Sequence, residues 1–216
     1  MSAEIIYGRR PVAEAKRGRR RVRRVWTADD TDQAELARMA GSPDHQGVVA
    51  EVDPYPYADP TTLLEEPEAL VVVLDQVQDP RNLGAVCRSA EAAGASGVVI
   101  PSRRTAAVTA VACKASAGAV EHLPVARVGN LADWLAAAKE AGAWVYGAEA
   151  GAAAPHTDPD WRGRVVLVLG SEGRGLRPRV ATACDGLMAI PRHGRLDSLN
   201  VASAAAVLLF EARRQR

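Results

Sequence analysis

A chain of 216 residues, 48% hydrophobic and 25% charged, is long enough to bury the core of one domain plus a small appendage. No apolar run approaches the roughly 18 residues of a membrane span, and no apolar segment follows the basic N-terminal stretch, so neither an anchor nor a signal peptide is expected. The net charge of +1 conceals an asymmetry: residues 1–25 hold nine basic and two acidic side chains, leaving the remainder acidic.

A basic block on an acidic protein suits gripping a polyanion from one end, and a solvated tail is the alternative. Its arginines, Arg9, Arg10, Arg19, Arg20 and Arg21 among them, suit bidentate phosphate contacts. Val12, Val22, Val25 and Trp26 interleave with the charges, so the block is expected to fold. Residues 5–17 read as a short strand or turn followed by a helix opened near Pro11. Residues 21–26 read as a strand, 31–40 as a helix, and 45–50 as another strand. Residues 1–52 thus predict a small α+β unit. Residues 53–68, with Pro54, Pro56, Pro60 and Pro67, predict a linker carrying one helical turn at Leu63 and Leu64.

From residue 69 the rhythm changes. Apolar runs recur at 70–74, 97–100, 143–146, 165–169 and 187–190, with helical spacing at 82–93 and 131–141. Continuous apolar strands alternating with helices predict an α/β domain over 69–216, with a parallel sheet covered on both faces. The last helix, expected from Ser198 to about Arg213, is apolar nearly all round and needs cover on every side. A homodimer through this C-terminal helix is the expectation; burial within one chain is the alternative.

Two strand exits carry the candidate chemistry. Leu169 leads into Gly170-Ser-Glu-Gly-Arg-Gly175, whose spacing fits neither the dinucleotide fingerprint nor a phosphate-binding P-loop. The first strand of the α/β domain leads to Asn82-Leu-Gly-Ala-Val-Cys-Arg88. By residue type alone Asn82 is a helix cap, Gly84 a point of close approach, and Arg88 a solvated cation or a partner of Glu91. Cys87, Cys113 and Cys184 are too few and scattered for a disulfide framework and read as core residues in a reducing cytosol. They form no metal knuckle, and His45, His122, His156 and His193 have no metal-ligand spacing.

In order, Asn82–Arg88, the glycine turn after Leu169, and Ile190-Pro followed by Ser198-Leu-Asn-Val-Ala-Ser203 resemble the three motifs of the SpoU/TrmH family of RNA 2′-O-ribose methyltransferases. Tyr7-Gly8, Val12, Glu14-Ala15 and His45-Gln-Gly-Val-Val-Ala50 resemble that family's small L30e-like substrate-binding domain, shortened here between Trp26 and Thr31. The resemblance covers nearly the whole chain. It implies a parallel sheet whose C-terminal part threads a trefoil knot, S-adenosylmethionine as cofactor, and no metal. It implies a cofactor cup at Gly147, Leu169, Gly170, Ile190, Ser198, Leu199 and Asn200, and a catalytic set of Arg88, Asn82, Glu172, Ser198 and Asn200. Ribosomal RNA, most readily a guanosine of 23S rRNA, is the implied substrate, with tRNA as runner-up. An RNA-binding scaffold with a vestigial cup and a nucleotide-dependent dehydrogenase are the readings from other classes. The intact motif residues oppose the first, and the missing early fingerprint opposes the second.

Overall fold

The computed structural model describes residues 3–171 and 173–216. They fall into two compact units that interleave along the chain. One gathers Met1–Pro56, Pro80–Arg88 and Ala107–His122; the other gathers Tyr57–Asp79, Ser89–Ala106 and Leu123–Arg216.

The first unit opens with β1 (Glu4–Tyr7), α1 (Arg9–Ala15), β2 (Val22–Thr27), α2 (Gln33–Ala40) and β3 (Val48–Val52). Its strands pair antiparallel in the order β1-β3-β2. The Asp32 carboxylate accepts from the Ala34 N–H to start α2, and Gly41 ends it in the left-handed region, φ 62°. β3 starts later than the apolar pattern predicts, because Gln46 and Gly47 take φ values of 56° and 74° and break the extended backbone. Tyr7, Leu36 and Val49 form this unit's core, with Trp26 and Met39 packed at its edge.

The same unit includes the first part of α3 (Pro80–Ala92) and all of α4 (Ala110–Ala115). α3 begins before Asn82, so Asn82 lies inside the first turn rather than capping it. Gly84 does permit close approach, but to protein: an added Cβ would stand 2.4 Å from the Ala112 carbonyl oxygen of α4. α4, which the sequence pattern does not announce, packs against β1. Arg20, expected at an RNA surface, is 4% exposed. Its Nε donates to Glu121 Oε2 at 2.9 Å, its Nη2 to Glu121 Oε1, and its Nη1 to Glu4 Oε2 at 3.2 Å. Burial works against this charge, and the hydrogen bonds and charge of Glu121 outweigh it, holding the guanidinium above its ordinary pKa.

The second unit is built on β4 (Leu70–Leu74), β5 (Gly97–Pro101), β6 (Val125–Val128), α5 (Leu131–Glu140), β7 (Trp144–Ala148), β8 (Ala154–Pro155), β9 (Val165–Leu169), α6 (Pro178–Ala183), β10 (Gly186–Ala189) and α7 (Val201–Gln215). Every pairing in its seven-stranded sheet is parallel, in the order β6-β5-β4-β9-β7-β10-β8. This is the expected α/β class. Every residue of β4, β5 and β9 is buried, as strands covered on both faces require. The proline-rich stretch is held at both of its ends rather than slack. The Tyr55 hydroxyl donates to the Val120 carbonyl at 2.9 Å within the first unit, and Leu63 and Leu64, in a single 3₁₀ turn, join the core of the second.

α7 starts at Val201 rather than Ser198, because the Asn200 side chain accepts from the N–H groups of Ala202 (2.9 Å) and Ser203 (3.4 Å). Val201, Ala205, Leu208, Leu209 and Ala212 are buried, whereas Val207 and Phe210 stay 40% and 53% exposed. One face is therefore covered by this chain, and the other presents apolar side chains outward. Among the described residues no helix is long and apolar enough to cross a membrane. Burial pushes the thiols of Cys87 and Cys184 up to about 12 and that of Cys113 to about 11, which leaves all three neutral and poorly nucleophilic.

Candidate active site

Parallel strands present their carboxyl ends at one edge, and α/β proteins place ligands there. In the second unit β9, β7 and β10 lie side by side, so three exits open together. They line a cavity of about 360 Å³ with Ala148–Ala150, Leu169–Ser171, Gly173–Gly175 and Met188–Ile190. Asp197, Ser198, Leu199 and the first turns of α7 complete it. That volume lies within the range of small-molecule sites.

The glycine turn is shaped by backbone contact. A Cβ on Gly170 would fall 2.1 Å from the Gly175 carbonyl carbon and 2.5 Å from the Leu176 nitrogen. The Gly175 N–H donates to the Ser171 carbonyl at 3.0 Å, closing the turn, and Gly173 and Gly175 take φ values of 75° and 65°. Asp75, at the exit of β4, anchors the turn's far end. Its fully buried carboxylate accepts from the Arg177 N–H at 2.9 Å and from Arg177 Nε at 2.7 Å. Across the cavity the Glu149 N–H donates to the Met188 carbonyl, 2.9 Å, and Arg192 Nη2 donates to the Ala150 carbonyl, 2.7 Å.

Five of the seven expected cup residues line this cavity: Leu169, Gly170, Ile190, Ser198 and Leu199. Gly147 does not. It is a packing glycine, whose added Cβ would meet Leu187 Cδ2 at 2.7 Å and Leu176 Cδ1 at 2.8 Å. Asn200 is outside the lining as well and spends its side chain on the α7 cap. Glu149, Arg174 and Asp197 line the cavity unforeseen, since isolated charges in loops carry no pattern. Glu172 lies outside the described residues.

Asn82 and Arg88 belong to the first unit. Arg88 is exposed on α3, on the side away from the buried Leu83 and Ala90, and no ion pair with Glu91 forms among the described residues. Of the expected RNA contacts, Arg9, Arg10, Arg19 and Arg21 are exposed. Arg19 also donates from Nε to the Glu121 carbonyl at 3.4 Å and from Nη2 to the Tyr55 hydroxyl at 3.2 Å.

Residues 69–210 match the model of the SpoU rRNA Methylase family. The chain belongs to that family. Residues 29–58 match a second model, described as RNA 2′-O ribose methyltransferase substrate binding. Among relatives of the SpoU chain, the putative TrmH family tRNA/rRNA methyltransferase YacO of Bacillus subtilis is 37% identical over 99% of this chain and 96% of its own length. An uncharacterized tRNA/rRNA methyltransferase of Synechocystis is 37% identical over 99% of this chain, which spans only 63% of that relative. Among solved structures, the SpoU methyltransferase AviRb from Streptomyces viridochromogenes in complex with the cofactor AdoMet superposes with a TM-score of 0.81 and 30% identity, covering 98% of this chain and 89% of the other.

Proposed function

We propose that this SpoU-family chain transfers a methyl group from S-adenosylmethionine to a ribose 2′-hydroxyl of structured RNA, most readily a guanosine of 23S rRNA. The observation that carries the reading is the cavity at the β7, β9 and β10 exits, in a fold shared over nearly the whole chain with an AdoMet complex. Its lining fits the cofactor. Leu169, Met188, Ile190 and Leu199 offer apolar walls for an adenine, strand ends and glycine turn offer backbone donors and acceptors, and Glu149 and Asp197 offer carboxylates for its positive charges. When bound, S-adenosylmethionine supplies an electrophilic methyl on a sulfonium.

Arginine is too weakly acidic to serve as a general base at neutral pH. We therefore assign Arg88 to hold the phosphate beside the target ribose and to favour the developing 2′-alkoxide, with Asn82 orienting Arg88 or the ribose. Proton removal by Arg88 with help from that phosphate ranks second. Ser198 and Asn200 are assigned to the cofactor or the reacting ribose, Asn200 also capping α7, and Glu172 to touching the RNA or orienting the glycine turn. A small basic N-terminal domain (residues 1–52, L30e-like and shortened) grips the RNA, residues 53–68 connect, and residues 69–216 form the transferase. Arg9, Arg10, Arg19 and Arg21 meet phosphates. β10 lies between β7 and β8 although residues 149–153 join those two strands directly, which supports a C-terminal trefoil knot. The cysteine pattern supports a cytoplasmic setting. The tRNA reading stands second, favoured by relatives whose names couple tRNA with rRNA.

The direct test is calorimetry with S-adenosylmethionine, followed by mapping 2′-O-methyls in RNA from cells with and without the gene. Saturable heat and a site that loses its methyl support the reading; no heat of binding overturns it. Gly170→Ala is expected to weaken cofactor binding by at least tenfold, about 1.4 kcal/mol, because its methyl meets backbone that cannot yield. Gly173→Ala, whose Cβ meets nothing within 4 Å, faces only its left-handed backbone, about 1–2 kcal/mol of local strain. Calorimetry on both variants ranks them.

The exposed Val207 and Phe210 support a homodimer through α7. Sedimentation at micromolar concentration is expected to give a dimer, and Phe210→Arg a monomer. A wild-type monomer would remove α7 as the interface.

A further inference from the structure

The first unit contains a second cavity, of about 720 Å³, lined by Arg9, Arg10, Gln33, His45, Gln46 and Lys114 among others. Lys114 comes from α4, within the stretch that matches the methylase model, yet its ammonium lies against the N-terminal strand. A Cβ on Gly8 would meet Lys114 Nζ at 2.7 Å and Gln46 Oε1 at 3.3 Å, so Gly8 makes the room that the ammonium occupies. Nζ sits 5.9 Å from the Tyr7 ring centroid, is enclosed, and has no hydrogen-bond partner among the described residues. Desolvation lowers the Lys114 pKa, and the charge of Asp44 opposes that shift without forming an ion pair. An enclosed ammonium left without an acceptor is costly unless a ligand supplies one.

The neighbouring groups are arranged as donors. Arg9 is steadied by Gln46, its N–H donating to Oε1 at 3.2 Å and its Nε to the carbonyl at 3.3 Å. His45 is 5% exposed, and its Nδ1 accepts from the Gly47 N–H at 3.1 Å, which leaves the ring proton on Nε2. Two guanidiniums and an ammonium suit phosphate oxygens, and the volume exceeds what one phosphate fills.

We propose that this cavity receives one nucleotide of the RNA substrate, its phosphate held by Arg9 and Arg10 and by Lys114 once the ammonium turns out of its enclosure beside Gly8, and its sugar and base lying along Gln33 and His45. This rests on the RNA reading above and extends it to a discrete seat lined by residues of the first unit. The scattered arginines then supply non-specific affinity, and this seat fixes one nucleotide's position along the strand.

The test titrates the full chain with adenosine 5′-monophosphate, with adenosine, and with a mixed-sequence RNA octanucleotide. The monophosphate is expected to shift the Lys114 side-chain and His45 ring NMR signals saturably, while adenosine leaves Lys114 unmoved. Lys114→Met is expected to weaken octanucleotide binding about tenfold and to reduce the slope of log affinity against log salt by about 0.7. Lys114→Arg should recover most of both, and an unchanged thermal melt for Lys114→Met excludes misfolding as the cause. Unmoved signals, or unchanged affinity and slope in Lys114→Met, overturn the proposal. S-adenosylmethionine calorimetry on the same samples separates the two readings. Cofactor binding with no Lys114 dependence defeats the nucleotide seat alone. Lys114-dependent RNA binding with no cofactor heat defeats methyl transfer and leaves the seat standing.

Discussion

Arg88→Ala is expected to lower methyl transfer by ~10²–10³-fold or more while S-adenosylmethionine affinity stays within a few-fold. The magnitude is that of removing one preorganised donor from a site where negative charge develops. The separation of effects follows from location: Arg88 is on α3 and the cofactor cavity is lined by other elements. Arg88→Lys should recover only a small part of the rate, because a point charge does not reproduce the planar fork that meets two phosphate oxygens. Single-turnover transfer to RNA, read beside calorimetry, checks both halves. A large loss of cofactor affinity in Arg88→Ala would contradict the role, and so would a rate within a few-fold of wild type.

Glu121→Ala is expected to be the most destabilising simple substitution outside the apolar core. The side chains of Arg20 and Glu121 are 1% and 0% exposed, so deleting the carboxylate strands a buried guanidinium with only the half-exposed Glu4 as an anionic partner. Breaking such a pair costs about 3–5 kcal/mol. In a chain of this size that corresponds to a melting temperature lower by roughly 6–20 °C. Replacing both members with apolar side chains, Arg20→Met with Glu121→Leu, should restore much of the loss, since desolvation of two charges is then avoided. Thermal unfolding followed by circular dichroism decides it. A melt of Glu121→Ala within about 2 °C of wild type would mean that the pair does not hold residues 107–122 to the N-terminal strands.

The parts of this fold that the sequence made legible share a physical cause. β4, β5 and β9 are buried on both faces, so each is an unbroken apolar run that needs no context to be read. The glycine turn was legible for the same local reason: residues 170–175 must let backbone touch backbone. What escaped depends on distant partners or on brevity. Arg20 stands in a run of like residues, and only its pairing with Glu121, 101 positions away, turns it inward while Arg19 and Arg21 stay outside. Gly84 reads as a point of close approach to backbone or ligand, and the sequence does not say which, because the helix it receives, α4, is six residues long and has no amphipathic period to announce it. Asn200, in the third motif, and Gly147, outside all three, are absent from the cavity lining; Asn200 caps α7 and Gly147 packs under Leu187. Residues 114–118 read as a polar loop near the methyl-transfer site with no role attached, whereas Lys114 lies on α4, a helix too short to announce itself.

The short edge strand β8 has a consequence for how copies of the chain can meet. It contributes only Ala154 and Pro155, and proline brings no amide hydrogen to an incoming neighbour. A ladder recruited from another molecule would find almost nothing to zip onto at that margin, which guards the parallel sheet against open-ended stacking. Self-association at that margin is left to side chains meeting side chains rather than to a shared backbone ladder.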